Sequence, residues 1–242
     1  VSVIASEWTK LRSVAGTWWC TAIYLLTAVT LGWLAAASTD RSSSAAIAVS
    51  GALTGFGFAQ LVLVVLGVLA GAGEFSTGMA VASFTAVPRR WRLLAAKTVV
   101  VAAWSALLTA VAAAGCGLAA RTLTAVPGGV SLVAPDVLRQ LVLQVAWGAL
   151  VAVLSVALGT LLRSSAGGIG LGLALVFVLP PVLSLAGGRW AERTAQALPA
   201  LRVGEDAFLS VATSWPVGLA VVGGWALVAW AVSALLLERR DV

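Results

Sequence analysis

The chain has 242 residues, 61% of them hydrophobic and 10% charged, with a mean hydropathy of +1.04 and a formal net charge of +6. A water-soluble domain needs roughly a quarter of its residues charged to keep its surface solvated and free of large apolar patches, so this composition argues against one. The spacing of the charges says more than their number, because long uncharged stretches decide whether an apolar run is a core element or a bilayer span.

Six charge-free intervals are long enough. They hold 27 residues between Arg12 and Asp40, 32 between Arg41 and Glu74, 23 between Lys97 and Arg121, 23 between Arg139 and Arg163, 25 between Arg163 and Arg189, and 31 between Asp206 and Glu238. A helix of about 20 residues, rising roughly 1.5 Å each, crosses the roughly 30 Å hydrocarbon layer. The expected fold is therefore an all-α integral membrane protein, one domain over 1–242, with six transmembrane helices near 16–37, 56–73, 98–119, 140–161, 167–187 and 214–236. Continuously apolar runs such as Leu61 to Leu66 lack the alternation of a transmembrane barrel.

Ahead of the first span, residues 1–15 fit a short interfacial helix with Ile4, Trp8 and Leu11 on one stripe and Glu7, Lys10 and Arg12 left to water or headgroups. A plain extension of the first span, entered at Trp18 and Trp19, fits the same residues. No small-residue cleavage pattern follows the first apolar run, so that span is expected to be retained.

Gly51-xxx-Gly55 and Gly67-xxx-Gly71 bracket the second span, and Gly148, Gly159, Gly167, Gly168, Gly170 and Gly172 lie in or between the fourth and fifth. Such residues allow close helix packing, either at a dimer seam or inside one bundle.

Between spans two and three, residues 74–97 form the most distinctive connection. Gly71, Gly73 and Gly78 permit turns near Glu74, Met79 to Val87 forms a short apolar helix ended before Pro88, and Arg89, Arg90, Arg92 and Lys97 lead into the next span. A partner-docking helix and a loop whose charges only set topology both fit. Pro180 and Pro181 interrupt the fifth apolar interval, which by sequence favours a kink. The outer connection, 188–213, carries Glu192, Arg193, Arg202, Glu205 and Asp206, and Trp215 with Pro216 opens the last span.

With the amino terminus cytoplasmic, the inner segments hold nine basic residues and the outer ones six, the inner group including the cluster at Arg89 to Lys97. The positive-inside rule then puts both termini in the cytoplasm. The positive charge reads as topology and attraction to anionic lipid, with no nucleic acid as partner. The chain has no His, and Cys20 and Cys116 lie in different spans without metal-ligand spacing, so no metal site is expected and the cysteines read as apolar fillers.

EWTKLRSVAGTWW at 7–19 and GEFSTGMAVASFTAVPRRWRLLAAK at 73–97 closely resemble the actinobacterial branch of ABC-2-type transporter permeases, and the resemblance covers essentially the whole chain. It implies a type V exporter-like permease fold in a bacterial plasma membrane, re-entrant helices around 180–212, and a connection at 74–97 that contains or borders a coupling helix. It also implies two copies of a separate ATP-binding subunit, a second permease chain that is identical or homologous, and contact with membrane lipid. No GxxxxGK[ST] phosphate loop occurs, so this chain is expected to be no enzyme by itself and to bind no cofactor, with ATP and Mg held by the partner subunit.

On that basis the contact residues are Glu74, Phe75, Thr77, Met79, Phe84, Pro88, Arg89 and Arg90. Phe75, Met79 and Phe84 are the apolar anchor, Pro88 ends the helix, and Arg89 and Arg90 meet headgroups or an acidic surface. Glu74 either caps a helix or pairs with a nearby base. Trp8, Lys10, Leu11 and Arg12 form the interfacial element. Trp104, Trp147, Trp225 and Trp230 lie within the spans, as packing or as a wall for an amphipathic drug, antibiotic, peptide or lipid-like cargo. Two other functions fit six apolar spans: a secondary transporter or channel, and a membrane assembly factor that transports nothing. The absence of a confident buried carboxylate, histidine or lysine in the spans weakens the first.

Overall fold

The computed structural model describes residues 3–38, 44–76, 90–124, 129–199 and 215–239, and among these the regular structure is helical throughout. A short helix, α1 (Val3–Ser13), precedes α2 (Ala15–Ala37), and α3 (Ala45–Ala52) runs through a 3-10 turn at Leu53–Gly55 into α4 (Phe56–Ser76). Then come α5 (Arg90–Leu123), α6 (Pro135–Leu162) and α7 (Ser165–Leu173). A π-turn at Ala174–Val178 joins α7 to α8 (Leu179–Ala186), followed by α9 (Arg189–Ala197) and α10 (Trp215–Arg239). Among the described residues, six helical stretches are long and apolar enough to cross a membrane: Ala15–Ala37, Ala45–Phe75, Arg90–Leu123, Pro135–Leu162, Ser165–Leu183 and Pro216–Arg239.

The second apolar helical stretch starts at Ala45, ahead of the 56 at which the sequence places the span. Ser44 caps α3 by accepting a hydrogen bond from the Ile47 amide at 3.3 Å, and the chain stays helical through Ser50, Gly51, Thr54 and Gly55, which lower the local apolarity that marks a span in sequence. Thr54 satisfies its hydroxyl on the Gly51 carbonyl, and Gly55 lies so close to α2 that a Cβ there would stand 2.5 Å from the Ala28 carbonyl oxygen. Helix α5 is 34 residues long, roughly 50 Å, and continues beyond the expected third span, 98–119, at both ends. Its first turns carry Arg90, Arg92 and Lys97.

Helix α6 is the hub. Val151, Ala152, Leu154, Val156 and Ala157 are fully buried where it meets α4, α5 and α10. Gly67 and Gly71 of α4 face Ala152–Val156 and Val156–Thr160 in turn, so α4 and α6 run parallel, while Gly148 against Thr109 and Gly117 against Leu141 make α5 antiparallel to α6. Small residues let these backbones touch, as association inside lipid requires. The glycines at 55, 67, 71, 148, 159, 168 and 172 thus have close neighbours within this one chain. Gly71 and Gly73, expected near a turn, instead lie inside α4 because the helix continues to Ser76.

Large apolar side chains point outward around the bundle, among them Trp19, Leu26, Leu34, Leu227 and Val228, which suits a lipid-facing perimeter. In the fifth span the π-turn comes one turn before Pro180 and Pro181, where the rings would otherwise meet the carbonyls of the preceding turn. The helix therefore continues past the prolines to Ala186 through a widened turn. Gly187 and Gly188, both at positive φ, then reverse the chain into α9, which packs on α8 and is held by a 2.7 Å hydrogen bond from Trp225 Nε1 to the Ala197 carbonyl.

Candidate functional site

Helix α1 is short and its apolar stripe is sparse, yet it is fixed against the bundle through charge. Ile4 and Trp8, expected on one apolar stripe, are 51% and 37% exposed, whereas Glu7 is only 4% exposed. The expectation that Glu7 stays in water is overturned because two ammonium groups meet it. Lys10 Nζ donates to Glu7 Oε1 at 2.8 Å and to Glu74 Oε1 at 2.9 Å. Lys97 Nζ lies 2.8 Å from Glu7 Oε2 and 3.1 Å from Glu74 Oε1.

The four side chains form a closed, alternating ring of two carboxylates and two ammonium groups, and they tie α1 to the ends of α4 and α5. Burying isolated charges costs several kcal/mol each, and neutral pairing with short hydrogen bonds offsets that cost. Burial alone pulls the Lys10 ammonium pKa down, but the hydrogen bonds and charges of Glu7 and Glu74 outweigh it and hold it above the ordinary 10.5.

Aromatic contacts set the angle of α1. Trp104 of α5 makes edge contacts with Trp8 at 5.5 Å and Trp18 at 5.9 Å between ring centres, and its Nε1 donates to Thr21 Oγ1 at 3.2 Å. Trp18 Nε1 donates to the Arg12 carbonyl, Arg12 lies over the Trp8 ring at 5.8 Å, and Leu11 packs with Leu66 and Val101. Each aromatic pair adds about 1 kcal/mol beyond its buried area.

Next to the ring is a cavity of about 410 Å³ between α1, α2, α4 and α5. All four ring residues line one end. Leu66, Ala70, Cys20, Val100 and Val101 make the other end apolar, and Val14 and Leu69, 55% and 40% exposed, stand at its margin.

Of the expected contact residues, Glu74, in the last turn of α4, joins the ring as an ion pair. Phe75 receives the Arg163 guanidinium over its ring at 5.1 Å. Arg90 Nη1 donates to the Leu237 carbonyl at 3.0 Å, joining the start of α5 to the end of α10. These contacts put α1, the C-terminal ends of α4, α6 and α10, and the start of α5 at one end of the bundle. Thr77, Met79, Phe84, Pro88 and Arg89 lie outside the described residues, as do Arg202, Glu205 and Asp206 of the outer connection.

Sequence reading missed Glu7 and Lys97 as partners. Glu7 with Lys10 at i,i+3 was the visible signal, and Lys10 and Lys97 are the only lysines in the chain. Of the tryptophans within the spans, Trp104 anchors α1, Trp147 is buried in the core, Trp225 holds α9, and Trp230 Nε1 donates to Thr98 Oγ1 at 3.1 Å.

Six parallel and antiparallel spans, a lipid-compatible perimeter and one charged end define a multi-pass helical membrane protein. The family model for the ABC-2 family transporter protein matches residues 3–180, nearly three quarters of the chain, and the protein belongs to that family. No curated protein matches the chain in sequence. Membership makes it a permease subunit of an ABC transporter, a transport component that is not catalytic by itself and that pairs with an ATP-binding subunit.

Proposed function

We propose that this permease is half of an ATP-driven exporter for an amphipathic small molecule, antibiotic, peptide or lipid-like cargo. Two ATP-binding subunits and a second permease chain, identical or homologous, complete the assembly. Both termini face the cytoplasm of a bacterium, and ATP with Mg is held by the partner subunits.

The ring of Glu7, Lys10, Glu74 and Lys97 carries this reading. It joins the two helices that flank residues 77–89 to the interfacial helix, so a push on that segment moves α1, α4 and α5 as one body. Closure of the ATP-binding subunits on 74–97 would then reach the bundle through a charged clamp and not through a loose loop. In this scheme Phe75, Met79 and Phe84 are the apolar contacts, Thr77, Pro88 and Arg89 shape and orient the segment, and Arg90 carries motion to α10 through the Leu237 carbonyl. Parallel α4 and α6, in van der Waals contact along their glycines, would follow α4 as a rigid pair.

The test is co-purification with the ATP-binding subunit, followed by ATP-dependent efflux of a fluorescent amphiphile from reconstituted vesicles. Efflux that vanishes when the partner's ATP site is inactivated supports the reading, and efflux unchanged by that lesion refutes it. Phe84→Asp is expected to weaken association or uncouple ATPase from efflux while leaving membrane insertion intact. Normal association and flux at equal expression would remove Phe84 from the contact.

A further inference from the structure

The cavity beside the charge ring has charged and apolar lining, and the four ring residues and the apolar wall belong to the same partly open space. Its volume of about 410 Å³ falls in the range of small-molecule sites and far exceeds that of a single water. The ring is at the charged end of the bundle, at the height where α4 leaves its apolar run, and Leu66 and Ala70 lie one to two turns deeper. The polar end therefore sits at headgroup level and the apolar end at acyl-chain level. Val14 and Leu69, both exposed, line the cavity together with exposed Ser13 and half-exposed Lys10, so it is reachable from outside the bundle past apolar as well as polar side chains.

The ring's charge pattern selects the headgroup. Two carboxylates alternate with two ammonium groups, so the site is neutral but presents both signs within one hydrogen-bond length. An ammonium group has three N–H donors; Lys10 donates to Glu7 and Glu74 and Lys97 to Glu74, with Glu7 a further ion-pair partner of Lys97, so each lysine retains donor capacity for an anionic oxygen. A purely anionic headgroup would satisfy the lysines and be repelled by Glu7 and Glu74. A headgroup with a phosphate and a primary ammonium matches both signs, and only a primary ammonium, unlike a quaternary one, donates hydrogen bonds to the carboxylates.

We propose that this cavity binds one glycerophospholipid with an ethanolamine headgroup, taken from the leaflet at the charged end. The phosphate rests on Lys10 and Lys97, the ammonium on Glu7 and Glu74, and the upper acyl chain lies along Leu66, Ala70 and Val101. This goes beyond the export reading and does not depend on it.

Native mass spectrometry of the permease alone, released from detergent micelles, tests the assignment with dioleoyl phosphatidylethanolamine, phosphatidylcholine and phosphatidylglycerol added separately. One bound ethanolamine lipid per chain, saturating at about tenfold lower concentration than the other two, is the expected result. Ala70→Trp fills the apolar end while leaving all four ring side chains in place and is expected to abolish that species. Gly73→Leu is the second filler, because a Cβ at Gly73 meets nothing within 4 Å. Gel filtration and melting show whether each variant folds, and if neither does, the headgroup comparison on the unaltered chain decides.

Equal retention of the three lipids, no saturable one-lipid species, or undiminished binding by a folded filler variant would overturn the proposal. Soluble glycerophosphoethanolamine that raises the melting temperature as much as the lipid would also do so, since the apolar end would then be idle. A dimer that excludes lipid would assign the opening to a second copy instead. Efflux with the ATP-binding subunit is a separate measurement, so loss of either reading leaves the other standing.

Discussion

Lys97 Nζ lies 2.8 Å from Glu7 Oε2, joining the start of a membrane-spanning helix to a surface helix that is far away in sequence. The contact explains why α1 buries an acidic residue while leaving Ile4 and Trp8 half outside. It also makes the charged end of the bundle one connected unit, since the same two groups share Glu74 and Lys10 with the end of α4.

Removing one member of the ring should cost more than removing two. Glu7→Gln leaves a buried ammonium underpaired and is expected to destabilise the protein by about 3 kcal/mol, with Lys97→Met similar. The double variant should recover part of that loss, because each single change strands the partner. Thermal unfolding in detergent reads all three, and losses that add to within about 0.5 kcal/mol would show that the two groups do not act as a pair.

Helix contact at α4 predicts a sharp contrast between two glycines a half-turn apart. A Cβ at Gly71 runs into the Val156 carbonyl oxygen, whereas one at Gly73 meets nothing within 4 Å. Gly71→Ala should destabilise by about 1–3 kcal/mol through overpacking. Gly73→Ala should be neutral or gain up to about 1 kcal/mol from helix propensity. Equal melting temperatures for the two variants would contradict the parallel packing of α4 on α6.

Arg163 ends α6 in the left-handed region, at φ 52°, with its amide bonded to the Gly159 carbonyl at 3.0 Å and its guanidinium over Phe75. Arg163→Ala keeps the strained backbone and loses the ring contact, an expected loss of about 1 kcal/mol. Arg163→Gly loses the same contact but relieves roughly 1 kcal/mol of backbone strain, so its stability should stay close to the parent's. Comparing the melting temperatures separates the two contributions.

Alkaline titration should expose Lys10. Its folded pKa is held above 10.5, so its share of stability is complete below that value and disappears as pH rises through the raised one. Lys10 is 37% exposed, and solvent screening keeps the effect small. Melting curves from about pH 9 to about pH 12 should show the parent losing stability faster than Lys10→Met at the alkaline end. Parallel curves would mean that Lys10 gains nothing from its two carboxylates.

Much of the architecture was legible because lipid imposes a simple rule on sequence. A span must be long, uncharged and helical, so the intervals bounded by Arg12, Glu74, Lys97, Arg163 and Glu238 report six crossings directly. Where the rule weakens, the edges moved. Thr54 hid the early start of the second apolar helical stretch because a hydroxyl bonded to its own helix costs little inside a bundle. Likewise, Pro180 and Pro181 signalled an interruption but not its form, because a π-turn and a kink relieve the same clash.

By itself, the sequence determined a membrane protein with six helical spans, a basic connection before the third span, and the residues that carry its family resemblance. Only tertiary structure decided that Glu7, Lys10, Glu74 and Lys97 close into one ring, that Trp104 seats α1, and that a Cβ at Gly71 would run into α6 while one at Gly73 would meet nothing within 4 Å. The physical reason is the range of the interactions. Hydrophobic length is a property of each segment alone, whereas an ion pair between residues 7 and 97 exists only after parallel and antiparallel packing has brought three helix ends together.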